Sequence, residues 1–88
     1  MTTEAVQVNN MKLSDARAQL LLTQRGLAQK ANVSPTVVSN AENGYPIRRL
    51  SAHAIFNALN DERSARNLPP LGFKQIEWKI SGEEDEEK

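Results

Sequence analysis

The feature that most constrains this chain is a five-residue break between two helical segments, Asn-Val-Ser-Pro-Thr at residues 32–36. Asn32 tolerates the left-handed backbone conformation that ends a helix. Ser34 is a favoured N-cap, and proline at the first helical position, Pro35, loses no hydrogen bond. The break therefore predicts one helix ending at Asn32 and another beginning at Pro35. Such a corner can be a fold element alone, or it can present its second helix to a partner.

Caps and helical spacing predict four helices in all. The first is expected from about residue 12 to residue 21, and the second follows Thr23, a good N-cap. The third is expected over residues 35–42, where Asn43-Gly44 stops it. The fourth is expected from residue 50 or 51 to residue 59, because its apolar side chains recur at helical spacing.

The two ends of the chain have a different pattern. AVQV at residues 5–8 and GFKQIEWKI at residues 72–80 alternate as strands do, and Pro69-Pro70 breaks the chain before the second of them. Two short strands, the later one within residues 73–80, are therefore expected to pair.

A formal net charge of zero hides an uneven distribution. Residues 1–82 contain ten Lys and Arg against six Asp and Glu, a net charge of +4, whereas EEDEEK at residues 83–88 carries −4. A basic body suits a polyanionic partner, and an acidic tail of this composition is expected to be disordered. The tail can be regulatory, or it can serve solubility alone.

Composition argues against several classes of function. A chain of 88 residues, 39% apolar, forms one small domain with little room for a catalytic pocket. With no cysteine and one histidine, His53, we expect no metal site and no cofactor. No carboxylate pair, activated nucleophile or Gly-rich phosphate loop indicates an enzyme, so no catalytic residue is predicted. No apolar run approaches the roughly 20 residues that cross a bilayer, so no membrane partner and a cytoplasmic location are expected.

Residues 23–44, TQRGLAQKANVSPTVVSNAENG, resemble the helix-turn-helix of the Xre class, the group that contains Cro and the lambdoid phage repressors. The shared features are TQ at the start, LA one turn later, VS at the turn, a β-branched residue at position 38 and E-x-G at residues 42–44. The resemblance extends over about residues 13–60. It implies a mainly α, lambda-repressor-like domain of four or five helices that binds double-stranded DNA, with a homodimer as the expected assembly on DNA.

On this reading the chain has four parts. They are an N-terminal arm over residues 1–11, a helix-turn-helix domain over 12–60, a C-terminal extension over 61–81 and an acidic tail over 82–88.

The resemblance also assigns roles to individual residues. With Val38 and Ala41 facing inward, the base-reading positions fall on Thr36, Val37 and Asn40, and the Asn40 amide suits adenine N7 and N6. Phosphate contacts are expected from Thr23, Gln24, Ser34, Ser39, Asn43, Arg48 and Arg49. The arginine that the family pairs with the glutamate of E-x-G falls on Arg17, which predicts a structural ion pair with Glu42.

The chain also departs from the family pattern. Asn32 replaces the usual glycine, Gly26 stands where an acid is common, and Ala41 replaces a larger aliphatic residue, which predicts a thinner core there. Two functions stay open. One is a sequence-specific transcriptional regulator, such as a repressor. The other is an antitoxin-like or adaptor module that keeps the helix-turn-helix for packing, an alternative favoured by sparse base-reading chemistry.

Overall fold

The computed structural model describes residues 11–81, which form four α-helices and no sheet. The helices are α1 (Leu13–Gln19), α2 (Gln24–Ala31), α3 (Pro35–Glu42) and α4 (Arg49–Ala65), and a 3-10 helix follows at Phe73–Gln75. The mainly helical fold expected from the sequence is confirmed. The expected AVQV strand and the acidic tail lie outside the described residues.

The core lies where the four helices meet. Each helix contributes side chains that are fully buried, and burying a side chain the size of leucine stabilises the fold by roughly 1.5–3 kcal/mol. The largest of these side chains are Leu13, Leu20, Leu27, Val38, Ile55 and Leu59.

The α2–α3 corner ends α2 as the sequence predicts. Asn32 adopts the left-handed conformation, with φ 61° and ψ 42°. The Val33 amide donates to the Ala28 carbonyl (3.0 Å) and the Asn32 amide to the Gln29 carbonyl (3.2 Å). These two bonds form a Schellman motif, which satisfies carbonyls left free at the helix end.

Side-chain caps begin both helices of the corner. The Thr23 hydroxyl accepts a hydrogen bond from the Gly26 amide (2.9 Å), and the Ser34 hydroxyl accepts one from the Val37 amide (3.3 Å). A Cβ on Gly26 would lie 3.2 Å from the Thr23 hydroxyl oxygen, so glycine lets this cap approach closely.

Helix α4 is longer than predicted at both ends. It begins at Arg49 and continues to Ala65, six residues beyond the predicted end at residue 59. The side chain of Arg63 is buried, and its guanidinium donates to Gln19 Oε1 and to the Pro69 carbonyl, both at 2.7 Å. These contacts connect the last turns of α4 to α1 and to the extension. The helix therefore continues beyond residue 59, where its regularly spaced apolar residues end.

The strand predicted within residues 73–80 is wrong. Its first part is the 3-10 helix Phe73–Gln75, and the segment makes only two isolated parallel bridges within the described residues, Met11 with Ile76 and Ile47 with Ile80. The aromatic residues explain the difference: Phe73 stacks on Trp78, whose indole N–H donates to the Phe73 carbonyl at 2.9 Å. This contact folds the segment back onto itself, which an extended strand does not permit.

Candidate nucleic-acid interface

The position of α3 is fixed by a polar cluster at its C-terminal end. Arg17 on α1 donates two hydrogen bonds to Glu42, from Nε to Oε2 at 2.5 Å and from Nη2 to Oε1 at 3.0 Å. The other terminal nitrogen of Arg17 donates to the Leu22 carbonyl at 2.8 Å. Gln24, the first residue of α2, donates its side-chain amide to Glu42 Oε1 at 2.8 Å. One carboxylate therefore links α1, α2 and α3. The predicted ion pair between Arg17 and Glu42 is present.

The electrostatics of this cluster keep both partners charged. Burial alone raises the pKa of Glu42, but the hydrogen bonds from Arg17 and Gln24 and the charge of Arg17 outweigh it, so the pKa lies below its usual value. The hydrogen bond to Glu42 raises the pKa of Arg17 further. A charge-assisted bidentate contact has a defined geometry, so it orients α3 as well as stabilising it.

Helix α3 turns one face inward and leaves another in solvent. Val38 and Ala41 are buried in the core as expected, and Thr36 is exposed. Val37 is half-buried and packs partly against the core, so only part of its side chain is accessible. Asn40 is half-buried, and within residues 11–81 its side-chain amide makes no hydrogen bond.

A groove of about 340 Å³ runs beside α3. It brings Asn40 together with Arg48, which is exposed and forms no ion pair with any other described residue. Arg49, although next in sequence, lines a different groove beside Phe73 and Trp78. The two arginines expected to act together therefore point to different surfaces. We call the groove that holds Asn40 and Arg48 the α3 groove. Its lining residues are Val37, Asn40, Pro46, Ile47, Arg48, Ser51 and Ser81.

The remaining phosphate candidates lie near the ends of α2 and α3. The hydroxyls of Thr23 and Ser34 accept backbone hydrogen bonds as caps, which leaves each O–H free to donate to another group. The Ser39 hydroxyl accepts a hydrogen bond from the side-chain amide of Asn43 at 3.4 Å. Gln24 differs, because its amide nitrogen is already engaged with Glu42.

Sequence reasoning missed two exposed side chains beside this surface. Tyr45 directly precedes the groove residue Pro46 and is 59% exposed, and its backbone amide donates to the Asn40 carbonyl at 2.9 Å. Leu50, in the first turn of α4, is 83% exposed. The signal for Tyr45 was its place just after the Asn-Gly helix stop, in the turn between α3 and α4.

Residues 11–81 contain neither a metal-binding cluster nor a membrane-spanning helix. No group of three His, Asp or Glu side chains lies close enough to hold a metal ion. None of the four helices is long and apolar enough to cross a bilayer.

Comparison with known proteins gives one match. A family model described as helix-turn-helix matches residues 13–60, from the first residue of α1 into the second half of α4. Searches of curated proteins and of solved structures each found no match to this chain. The matched segment contains the Arg17–Glu42 pair, the α2–α3 corner and all of the α3 groove except Ser81.

Proposed function

The chain belongs to the Xre-class helix-turn-helix family, and on this premise we propose that it is a sequence-specific DNA-binding transcriptional regulator. Domains of this family are DNA-binding regulatory domains. The observation that carries the proposal is the α3 groove, where the amide of Asn40 and the guanidinium of Arg48 lie together without partners among the described residues. An amide and a cation in that arrangement suit a base edge and a neighbouring phosphate.

The proposed mechanism places α3 in the major groove, which is about 12 Å wide and admits an α-helix. Asn40 bonds to N6 and N7 of an adenine, and the methyl group of Thr36 contacts a thymine. Val37 contributes its exposed part to the same surface and otherwise holds α3 on the core. The Arg17–Glu42 pair acts through orientation, since it fixes α3 relative to α1 and α2.

Phosphate contacts surround the reading helix in this proposal. Arg48 supplies sequence-independent charge, and Thr23, Ser34 and Ser39 supply hydroxyl donors. The N-terminal amides of α2 assist, because a helix N-terminus attracts anions. The roles of Gln24, Asn43 and Arg49 as phosphate contacts remain predictions.

We further propose that the regulator acts in the cytoplasm as a homodimer on a partly palindromic site. Dimers of helix-turn-helix proteins read two half-sites about one helical turn, roughly 34 Å, apart. A repressor working by occupancy needs no cofactor for this step.

A salt titration of binding to random duplex DNA tests the proposal. Each phosphate neutralised by Lys or Arg contributes about −0.9 to the slope of log affinity against log salt. We expect a slope steeper than about −1, since Arg48 lies in the α3 groove and residues 11–81 carry ten Lys and Arg against five Asp and Glu. A slope near zero would contradict the proposal and favour the antitoxin-like or adaptor module.

A further inference from the structure

The described chain ends at a fixed point on the surface of the domain. Ile47, in the turn between α3 and α4, donates its amide to the Lys79 carbonyl at 2.9 Å. The Ile47 carbonyl accepts the Ser81 amide at 2.8 Å, and Ile47 and Ile80 form a parallel bridge. Because Ile47 is buried in the core, these bonds anchor residues 79–81 to the body of the domain.

This anchor lies at the proposed reading surface. Ser81 lines the α3 groove together with Asn40 and Arg48. Residues 83–87 are Glu-Glu-Asp-Glu-Glu, so the first carboxylate follows Ser81 by two residues and the fifth by six. A chain spans at most about 3.6 Å per residue, so the carboxylates begin within about 7 Å of Ser81 along the chain and reach at most about 22 Å. In sequence, the acidic residues therefore begin two positions after a residue that lines the groove with Arg48.

Charge complementarity favours this acidic segment as the occupant of the α3 groove. Residues 11–81 contain ten Lys and Arg against five Asp and Glu, and Arg48 has no ion-pair partner among them. Five consecutive acidic side chains are a local substitute for the phosphates of a DNA strand. Tethering gives such a segment an effective concentration on the order of millimolar, so even weak individual contacts are populated.

We propose that residues 83–87 bind in the α3 groove, contact Arg48, and compete with DNA phosphates for that surface. The inference rests on the proposed function and adds a regulatory role to the same site. The carboxylates take the place of DNA phosphates at Arg48 and accept hydrogen bonds from neighbouring donors such as the Asn40 amide. Because the segment must leave the groove before any duplex binds there, it lowers affinity for random duplex and for the preferred site by a similar factor.

The contact itself is tested without DNA. The variant E83Q/E84Q/D85N/E86Q/E87Q keeps the length and shape of the segment and removes its charge. We expect its NMR spectrum at about 50 mM salt to differ from the parent at the backbone amides of Val37 and Arg48 and at the side-chain amide of Asn40. The difference should shrink at about 500 mM salt, where the screening length falls to roughly 4 Å. Superimposable spectra at residues 37–51, or changes confined to another surface, would overturn the proposal.

The competition is tested by affinity for random duplex. We expect E83Q/E84Q to bind random duplex roughly two- to fivefold more tightly than the parent at low salt, the size of effect of an exposed ion pair. The matched control D61N/E77Q also removes two exposed negative charges, but neither residue lines the α3 groove. Equal gains in affinity in both variants would mean that net charge alone causes the effect, and the proposed docking of the segment would be overturned.

The two arms separate this inference from the proposed function. If the parent binds duplex DNA with a steep salt slope but the NMR spectra coincide, the regulator stands and the docked segment is overturned. If the spectra differ but no variant binds DNA, the regulator is overturned, and competition with phosphates is overturned with it.

Discussion

At the residue scale, two residues in the left-handed backbone conformation end helices, and they differ in how well their side chains tolerate it. Asn32 ends α2 with φ 61°, and Leu21 ends α1 with φ 57° through the same pair of backbone hydrogen bonds. Asparagine tolerates this conformation, whereas the Cβ of an ordinary residue crowds the following carbonyl at a cost of roughly 1–2 kcal/mol. The side chain of Leu21 is 92% exposed, so packing does little to offset that cost.

We predict that Leu21→Gly raises the free energy of unfolding by about 0.5–1 kcal/mol, because glycine removes the steric strain. Urea unfolding of both proteins measures the difference. Asn32→Gly is the matched control, and we expect it to change stability by a few tenths of a kcal/mol at most, since asparagine already tolerates the conformation. A Leu21→Gly protein no more stable than the parent would show that the backbone at Leu21 is not strained.

At the element scale, the orientation of α3 depends on one ion pair. Only 6% of the Glu42 side chain is exposed, against 21% for Arg17, so removing the arginine leaves a nearly buried carboxylate without its main partner. Removing either partner alone is therefore expected to cost more than removing both.

A double-mutant cycle tests this coupling. We predict that Arg17→Ala, Glu42→Ala and the double variant give a coupling energy of about 0.5–3 kcal/mol in thermal or urea unfolding. The same cycle on Lys30 and Glu62, a more exposed pair between α2 and α4, provides the comparison and should give a smaller coupling. Strict additivity for Arg17 and Glu42 would rule out an energetic contact.

The same pair predicts a pH dependence. The pKa of Glu42 is lower in the folded state than its ordinary value of 4.5, so its ionised form stabilises the fold above about pH 4.5. That contribution is lost as pH falls through the lower, folded-state pKa. We predict that the stability difference between the parent and Glu42→Gln is largest above pH 5 and shrinks toward pH 3. A difference that stays constant over this range would contradict the role of the charge.

The sequence predicted those elements whose causes are local. Thr23, Asn32, Ser34 and Pro35 act within four residues of themselves, so the α2–α3 corner could be placed from residue types alone. The end of α4 could not, because it depends on the contact of Arg63 with Gln19, 44 positions earlier. The path of residues 73–80 likewise depends on ring stacking and on bridges to Met11 and Ile47, which alternation does not encode.

In the candidate site, too, some positions follow from the sequence and others depend on the tertiary fold. The exposed position of Thr36 and the inward positions of Val38 and Ala41 follow from helical spacing. The separation of Arg48 from Arg49 follows from where α4 begins, and the presence of Ser81 in the α3 groove follows from its bond to Ile47. Neither of these could be found without the tertiary fold.

At the scale of the whole molecule, the C-terminal extension belongs to the same packed unit as the helices. Ile76 is 3% exposed and lies in the core, and the side-chain amide of Asn60 exchanges two hydrogen bonds with the backbone of Leu71, at 3.0 and 2.9 Å. The extension thus closes the core that the matched family segment leaves open. It also returns the chain to the α3 groove at Ser81.

In the proposed function, α3 reads bases while the residues around it hold phosphates. Asn40 and Arg48 share the α3 groove but have different roles in this account. Loss of a base contact lowers affinity for one sequence, whereas loss of a phosphate contact lowers affinity for every sequence.

The most direct test is the ratio of affinities for a preferred duplex, selected by the parent from a random pool, and for random duplex. We predict that Asn40→Ala weakens the preferred duplex by roughly 1–3 kcal/mol and leaves random duplex nearly unchanged, so the ratio falls. Arg48→Ala should weaken both and preserve the ratio, and Asn57→Ala, an exposed asparagine on α4, should change neither. If Asn40→Ala retains the ratio of the parent, α3 does not read DNA through Asn40 and the proposed reading surface is wrong.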